Sequence, residues 1–316
     1  MINTNRKVIG IGESIWDIIV QGNRPQKAVP GGSVFNCMVS LGRCEVPSVF
    51  VSELGNDPVG QIIRSFLKDN NLPSDHINFY DDGQTPVSLA FLNEKKDAEY
   101  LFYRDFPQRR LIKNFPTVNE NDIVVFGSYF AVNPAIRRKV AGFLNYAKKQ
   151  KAILYYDINI RKPHFAGRNK EHLDNAIIAN FQRADIIRCS AEDLALIYPG
   201  WYLEDCIEHV FQYSQCVIVT QGSDKIILAT PHFTKHYKVE TLVPVSTIGA
   251  GDNFNAGFIY GMMKLFVCQN DIFLMPERPW TELIEYGIKF ASEVCLSLDN
   301  YIPKDFARQF KFILPE

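Results

Sequence analysis

A short run of small residues that ends in an aspartate, Gly249-Ala250-Gly251-Asp252, is the part of this chain best suited to chemistry. An apolar run at 241–245 precedes it and a segment of small residues at 253–264 follows, which predicts a strand-to-helix junction. Backbone N–H groups at glycines can approach an anion closely, and a helix start adds about half a positive charge. An aspartate beside that anion site is useful when a hydroxyl must lose its proton while attacking a phosphoryl group.

The same run has a simpler interpretation as a glycine-rich turn with a solvated aspartate at the helix start, because short glycine motifs recur by chance. Other polar residues must therefore be found at the ends of neighbouring strands before a site is inferred.

Composition limits the classes of protein to consider. The 316 residues are 47% hydrophobic, enough for the core of one large α/β unit, and the net charge of −1 gives no reason to expect nucleic acid or an anionic membrane as a partner. No apolar run is long enough to span a bilayer. Seven scattered cysteines without a Cys-x-x-Cys motif, and a polar N-terminus without a signal-peptide core, predict reduced thiols and a cytoplasmic location.

Apolar strands alternate with helical patterns along most of the chain. This alternation predicts an α/β fold with a doubly wound, mostly parallel sheet sandwiched by helices. The strand pair around 87–104 reads as a hairpin outside that sheet and predicts a small β-lid. We expect one domain over 1–316, with lid segments inserted at about 15–32 and 84–105.

Polar residues follow the first strand and open the first helix. Asp17 comes shortly after the strand at 7–12, where parallel sheets bind ligands. Gly31 and Gly32 permit close backbone approach, and the amide of Asn36 can donate and accept hydrogen bonds at once. These residues suit a hydroxyl-rich ligand, although a turn aspartate and a buried asparagine would give the same pattern.

Two later strands also end in polar residues. Asp157, Asn159 and Arg161 follow an apolar strand, and they point the same way if the strand continues. Thr220 and Gly222 lie where another strand enters a small-residue turn, which suits a nucleotide, although a hairpin turn is the more probable interpretation.

Taken in this order, the motifs resemble the PfkB-type carbohydrate kinases of the ribokinase superfamily over about residues 7–300. The resemblance rests on Gly12-Glu13 with Asp17, on Gly31-Gly32 with Asn36, on the run 55–60 and on the run 249–252. The Asp157-x-Asn159-x-Arg161 pattern and Phe102-Tyr103-Arg104 look most like the fructokinase and 2-keto-3-deoxygluconate kinase branch.

The resemblance implies a ribokinase-like fold and ATP-dependent phosphorylation of a primary hydroxyl of a small, fructose-like sugar or a sugar acid. It makes Asp252 the base and the N–H groups of Gly249, Ala250 and Gly251 the anion hole. It assigns the sugar to Asp17, Gly31, Gly32, Asn36, Arg104, Asn159 and Arg161. It assigns ATP to Asp193, Thr220, Gly222 and Ala291. Mg²⁺ would be held mainly through phosphates and water, so no metal ligand is assigned.

Some positions depart from the family pattern. Ser246 and Ile248 stand where relatives activated by potassium help to bind the ion, so we expect weak or absent K⁺ activation. Asp193 replaces a glutamate one methylene longer, and Lys225 replaces a turn glycine. These substitutions keep a second hypothesis open, a non-catalytic sugar-binding or regulatory homologue, and a nucleoside kinase is a lesser alternative. A free lid edge also suggests a homodimer through the lid.

Overall fold

The chain folds into two sheets and surrounding helices in a computed structural model that describes residues 6–94, 96–107, 110, 112–165 and 170–313. The strands are β1 (Val8–Ile11), β2 (Ile15–Gln21), β3 (Arg24–Gly31), β4 (Ser48–Gly55), β5 (Ile77–Tyr80), β6 (Gln84–Leu92), β7 (Ala98–Asp105), β8 (Ile123–Gly127), β9 (Ile153–Asp157), β10 (Ile186–Ser190), β11 (Cys216–Gln221), β12 (Lys225–Ala229) and β13 (Thr234–Lys238). The helices are α1 (Ser33–Arg43), α2 (Pro58–Lys68), α3 (Ser128–Val132), α4 (Arg137–Lys149), α5 (Lys162–Phe165), α6 (Lys170–Phe181), α7 (Ala191–Ile197), α8 (Leu203–Phe211), α9 (Ala250–Lys264), α10 (Asp271–Leu274), α11 (Glu277–Val294) and α12 (Lys304–Arg308).

The larger sheet has the strand order β13-β12-β11-β10-β9-β8-β1-β4-β5. Neighbouring strands from β11 to β5 run parallel, while β12 and β13 add an antiparallel edge. In sequence order, β4 and β5 are added to the sheet on one side of β1. The chain then crosses to the other side of β1 with β8, and the later strands are added in the opposite direction. This reversal creates a crevice at the carboxyl ends of β1 and β8, which is where such sheets bind ligands.

The central strands β1, β8 and β9 are buried at every residue, so both faces of the larger sheet are covered there. Val8 packs into a core with α1, α9 and α11, and its neighbour Ile9 packs into a second core with α3, α4 and α6. The doubly wound, mostly parallel α/β fold predicted from the sequence is therefore confirmed.

The smaller sheet is formed by strands from the two segments that the sequence predicts to form a lid. Its order is β3-β2-β6-β7, with β2 and β6 parallel and the two outer pairs antiparallel. All four strands lie within the ranges predicted for the lid segments, 15–32 and 84–105. One face of this sheet turns toward the carboxyl ends of the main strands, so the lid covers the crevice.

Two predictions about local structure were wrong. The run 241–245 forms no strand; Pro244 lacks the N–H that a ladder needs, and Val243 is 91% exposed. Strand β9 ends at Asp157, and Asn159 has a positive φ of 39°, so Asp157, Asn159 and Arg161 do not alternate along one strand.

Within the described residues, no helix is long and apolar enough to cross a membrane. The seven cysteines are free thiols, and all are buried except the partly exposed Cys268. These thiols fill the core, as the sequence predicts.

Helices α9 and α11 pack closely because α9 presents a glycine to the backbone of α11. A Cβ atom at Gly257 would overlap the carbonyl oxygen of Tyr286 and lie 3.0 Å from Cα of Gly287. The close contact fixes the position of α9, whose first turn carries Asp252.

We expect Gly257→Ala to lower the free energy of unfolding by about 1–3 kcal/mol, because the added methyl group has no space. Gly142→Ala is the matched control. Gly142 also lies inside a helix, a Cβ atom added there would meet nothing within 4 Å, and the change should stabilise by about 0.5–1 kcal/mol. Urea unfolding midpoints of the two variants measure this difference, and equal midpoints would contradict the packing argument.

Candidate active site

A cavity of about 800 Å³ lies between the lid and the carboxyl ends of the parallel strands. Lid residues such as Tyr100 and Phe102 form one wall, and Thr220 and Gly222 lie on a wall built by the main sheet. The cavity contains nearly all the residues singled out in the sequence. They are Asp17, Gly32, Asn36, Arg104, Asn159, Arg161, Asp193, Thr220, Gly222, Gly249, Ala250, Gly251, Asp252 and Ala291.

Asp252 lies in the first turn of α9, where the chain enters the helix through Gly249 with a φ of 78°. That left-handed conformation favours glycine. The carboxylate is 8% exposed and accepts hydrogen bonds from the amides of Asn36 (2.8 Å) and Asn159 (3.2 Å). Two amides from different elements thus hold the carboxylate in one orientation at the cavity wall.

Burial and, after it, the nearby negative charge of Asp157 raise the pKa of Asp252 to about 6, while the hydrogen bond from Asn36 opposes the shift. A carboxyl group with this pKa is mostly ionised at pH 7 and can still accept a proton readily. The group is therefore suited to act as a general base near neutral pH.

The predicted anion hole coincides with the first turn of α9. N–H groups in a first helical turn have no acceptor within the helix and attract anions. The Ala250 N–H already donates to the Thr247 carbonyl at 3.2 Å, because the chain turns sharply before the helix. An anion here would therefore rely mainly on the N–H groups of the adjacent glycines.

Asp17 lies on the lid strand β2 and is held from two sides. It accepts hydrogen bonds from the Ser88 hydroxyl at 2.5 Å and from the Asn300 amide at 2.8 Å. Burial is the main cause that raises its pKa to about 7. Gly31 is not part of the cavity wall; instead it makes room for the Asp17 carboxylate, which a Cβ at that position would overlap.

The two arginines predicted to contact the sugar, Arg104 and Arg161, both line the cavity. Arg104 forms a bidentate ion pair with Glu13, with both N–O distances at 2.9 Å, and its guanidinium stacks over Phe102 at 4.1 Å. Arg161 is exposed and lines the cavity, while its backbone N–H donates to the His164 ring at 3.0 Å. The charge of Arg104 is thus already compensated within the protein.

A chain of polar contacts crosses the site behind Asp252. The Ser33 hydroxyl donates to Asp157 at 3.1 Å, and Arg188 forms an ion pair with the same carboxylate at 3.0 Å. The other terminal nitrogen of Arg188 donates to the Thr220 hydroxyl at 2.7 Å. Arg188 therefore connects Asp157 to Thr220, a residue predicted to bind the nucleotide.

The predicted nucleotide residues have different surroundings. Gly222, with a φ of 54°, lies in the turn between β11 and β12, which confirms the hairpin interpretation. Ala291 lines the cavity from α11. Asp193 forms a capping box with Ser190 and also accepts from the Ile160 N–H at 2.8 Å, so its carboxylate is engaged in holding backbone.

No group of three or more His, Cys, Asp or Glu side chains that could bind a metal occurs in the described part of the chain. Asp193 is buried and already bonded.

Three residues of the site were not identified from the sequence. Arg188 is a charged residue inside the apolar strand β10, and that placement was the available signal. Glu13 lies in the Gly12-Glu13 motif, and its ion pair with Arg104 is not predicted by that motif. Asn300 donates a hydrogen bond to Asp17 although the two residues are 283 positions apart, so no local sequence pattern predicts the contact.

Known proteins resemble this chain along nearly its whole length. A model of the pfkB family carbohydrate kinases matches residues 5–305. The chain belongs to this family. Among curated relatives, a probable chloroplastic fructokinase-6 of Arabidopsis thaliana is 26% identical over 273 residues, which cover 84% of this chain and 68% of the relative. A 5-dehydro-2-deoxygluconokinase of Geobacillus kaustophilus is 27% identical, with 84% and 79% covered.

Solved structures of fructokinases share the fold. Fructokinase from Vibrio cholerae, solved with fructose, ADP and potassium ion, superposes with a TM-score of 0.84 at 18% identity, covering 97% of this chain and 98% of that one. Fructokinase from Xylella fastidiosa with bound ATP gives a TM-score of 0.80 at 16% identity, with 96% and 97% covered. At these identities the likeness supports the ribokinase-like fold.

We expect Asp157→Asn to lower the pKa of Asp252, because the charge that opposes its ionisation is removed. Carbon-13 NMR titration of labelled aspartate carboxyls measures the value directly. Asp185→Asn, at a buried carboxyl that is not among the causes of the Asp252 shift, is the control and should leave that pKa unchanged. Equal titration curves for wild type and Asp157→Asn would show that the two carboxylates are not coupled.

Proposed function

We propose that this protein is an ATP-dependent sugar kinase that phosphorylates a primary hydroxyl of a fructose-like sugar or a sugar acid. The observation that carries the proposal is the buried Asp252, with its pKa raised to about 6, at the start of a helix that favours anions. Membership of the carbohydrate kinase family and the curated fructokinase relatives support the same activity.

In the proposed reaction, Asp252 accepts the proton of the sugar hydroxyl. The hydroxyl oxygen forms a bond to the terminal phosphorus of ATP, and the bond from that phosphorus to the bridging oxygen breaks, which leaves ADP. The glycine N–H groups at the start of α9 hold the transferred group as its charge is redistributed. Asn36 and Asn159 keep the base oriented throughout.

The sugar is proposed to lie between Asp17 and Asp252. Asn36 donates to Asp252 through its nitrogen, while its buried oxygen has no hydrogen-bond partner among the described residues. A buried acceptor without a partner is costly, so a sugar hydroxyl that donates to it would be favoured. Asp17, Gly32 and Asn159 complete this end of the cavity.

ATP is proposed to occupy the opposite end. Thr220, Gly222 and Ala291 line it, and Leu242 and Pro244 add apolar surface from the loop before α9. The Xylella fastidiosa fructokinase of the same fold was solved with ATP bound. Mg²⁺ bound through phosphate oxygens and water would offset the charge of the phosphates. Asp193 would support this end by holding the backbone at Ser190 and Ile160.

The two arginines bear on the kind of sugar. Arg104 is already paired with Glu13, so a substrate carboxylate there would meet a compensated cation and a nearby carboxylate. Arg161 remains the cation through which a sugar acid would be recognised. Both a fructose-like sugar and a sugar acid stay within the proposal.

A non-catalytic sugar-binding homologue is the second candidate, since Ser246, Ile248 and Lys225 differ from the family pattern. Asp252 and the two amides that hold it are intact, which favours the enzyme.

We also propose a homodimer through the lid. The lid face turned away from the cavity exposes Phe91, Leu101 and Tyr103 by 42%, 49% and 56%. Exposed apolar patches of this kind mark protein interfaces. The contact would then use this face, not only a free strand edge. Light scattering should give twice the chain mass for wild type and the chain mass for Leu101→Glu/Tyr103→Glu.

We also propose a cytoplasmic location, because the cysteines are free thiols and nearly all are buried.

The activity is tested by ADP release with Mg·ATP and a panel of fructose, 2-keto-3-deoxygluconate, ribose and adenosine. We expect turnover with a sugar or sugar acid. Asp252→Asn should lower kcat by about 10²–10⁴-fold with little change in sugar KM, the range for loss of a general base. Asp305→Asn, at an exposed carboxylate, is the control. Turnover with adenosine alone would indicate a nucleoside kinase, and sugar binding without any turnover would support the non-catalytic homologue.

Potassium is expected to have little effect on this activity. Ser246 is buried and accepts from the Ile248 N–H at 3.1 Å, and Ile248 packs into the apolar cluster beneath the lid. The rate should stay the same when KCl replaces NaCl at constant ionic strength. Strong activation by KCl would contradict this expectation.

A further inference from the structure

Arg188 has no role in the reaction proposed above. It lies on β10, in the middle of the parallel strands, and its side chain is only 6% exposed. Burying a guanidinium is costly unless it is paired, and here Asp157 supplies the pair at 3.0 Å. The nearby carboxylates, Asp157 above all, outweigh the cost of burial and raise the pKa of Arg188 above its ordinary value. The guanidinium therefore stays charged at every working pH.

The guanidinium lies directly against the first turn of α9. A Cβ atom added at Gly251 would be 2.8 Å from both terminal nitrogens of Arg188. Gly251 is one of the residues whose N–H groups are proposed to hold the phosphoryl group. The cation and the N–H groups therefore border the same part of the cavity, and Arg188 is among the residues that line it.

Arg188 also has hydrogen-bonding capacity left over. A guanidinium carries five N–H donors. One terminal nitrogen donates to Asp157 and the other to Thr220. The Nε atom is buried and has no hydrogen-bond partner among the described residues. A charged group with unused donors beside an anion site is the arrangement that stabilises phosphoryl transfer.

We propose that Arg188 is a further catalytic residue, which contacts the phosphoryl group as it passes from ATP to the sugar. This inference rests on the proposed kinase function. The contacts with Asp157 and Thr220 fix the guanidinium in advance, so little reorganisation is needed when the phosphoryl group arrives. Glycine at 251 is required because any side chain there would displace the guanidinium.

A purely electrostatic role through Asp157 would explain the same ion pair without any phosphate contact. Removal of Arg188 would leave Asp157 uncompensated, which would raise the pKa of Asp252 and move the acidic limb of the rate profile to higher pH. A phosphate contact predicts more than this, namely a lower rate on the pH plateau and a specific loss of affinity for the terminal phosphate.

Two variants of Arg188 separate these roles. Arg188→Met should lower kcat by about 10²–10³-fold, as for loss of one donor to a developing negative charge, and Arg188→Lys should fall between it and wild type. Calorimetry with Mg²⁺ should show weaker ATP binding by Arg188→Met and unchanged ADP binding. An equal loss of ATP and ADP affinity would mean that Arg188 acts through Thr220 and would overturn the proposal.

The double variant Arg188→Met/Asp157→Asn removes the uncompensated charge. The acidic limb should return to that of Asp157→Asn, while the plateau rate stays about 10²-fold below it. Recovery of the full Asp157→Asn rate would show that Arg188 acts only through Asp157. Arg110→Met is the matched control, because Arg110 is another buried arginine paired with a carboxylate, Glu53, outside the cavity.

These measurements keep the two proposals apart. If wild type phosphorylates none of the sugars but prefers ATP to ADP, and Arg188→Met loses that preference, the phosphate contact stands and the kinase proposal fails. If wild type is an active kinase and Arg188→Met matches it, the phosphate contact alone fails. Wild type that binds no ATP would overturn both.

Discussion

Two carboxylates, Asp157 and Asp252, are buried close enough for the charge of one to raise the pKa of the other. Isolated buried charges are too costly to keep, so the surroundings must compensate them. Arg188 and Ser33 bind Asp157, while Asn36 and Asn159 bind Asp252. Four polar side chains of the site therefore bind this one pair of carboxylates. The residual repulsion leaves Asp252 able to accept a proton near neutral pH.

The parallel sheet makes this compensation possible. The groups involved come from the ends of β9, β10 and β11 and from the starts of α1 and α9, which are far apart in the sequence. Parallel strands end at the same edge, and the helices that follow begin there. Side chains separated by as many as 216 residues, such as Asn36 and Asp252, therefore meet with good hydrogen-bond geometry.

The apolar pattern predicted the doubly wound sheet and the lid, because burial on two faces leaves a clear trace in the sequence. Motifs at strand ends located most cavity residues. Tertiary context decided the rest. Proline turned the run at 241–245 into a loop, and Asn159 left the strand with a positive φ. The pairing of Glu13 with Arg104, and of Arg188 with Asp157, depends on which strands become neighbours, and no local pattern encodes that.

The glycine contact between α9 and α11 has a consequence for substrate size. Helix α9 carries Asp252 at its first turn, and α11 carries Ala291 on the same cavity wall. Because Gly257 brings the two helix backbones into contact, these positions are set by a rigid joint and not by flexible side chains. The separation between Asp252 and Ala291 is therefore set by the two helix backbones, and under the proposed function it limits the combined length of sugar and nucleotide that the cavity can hold.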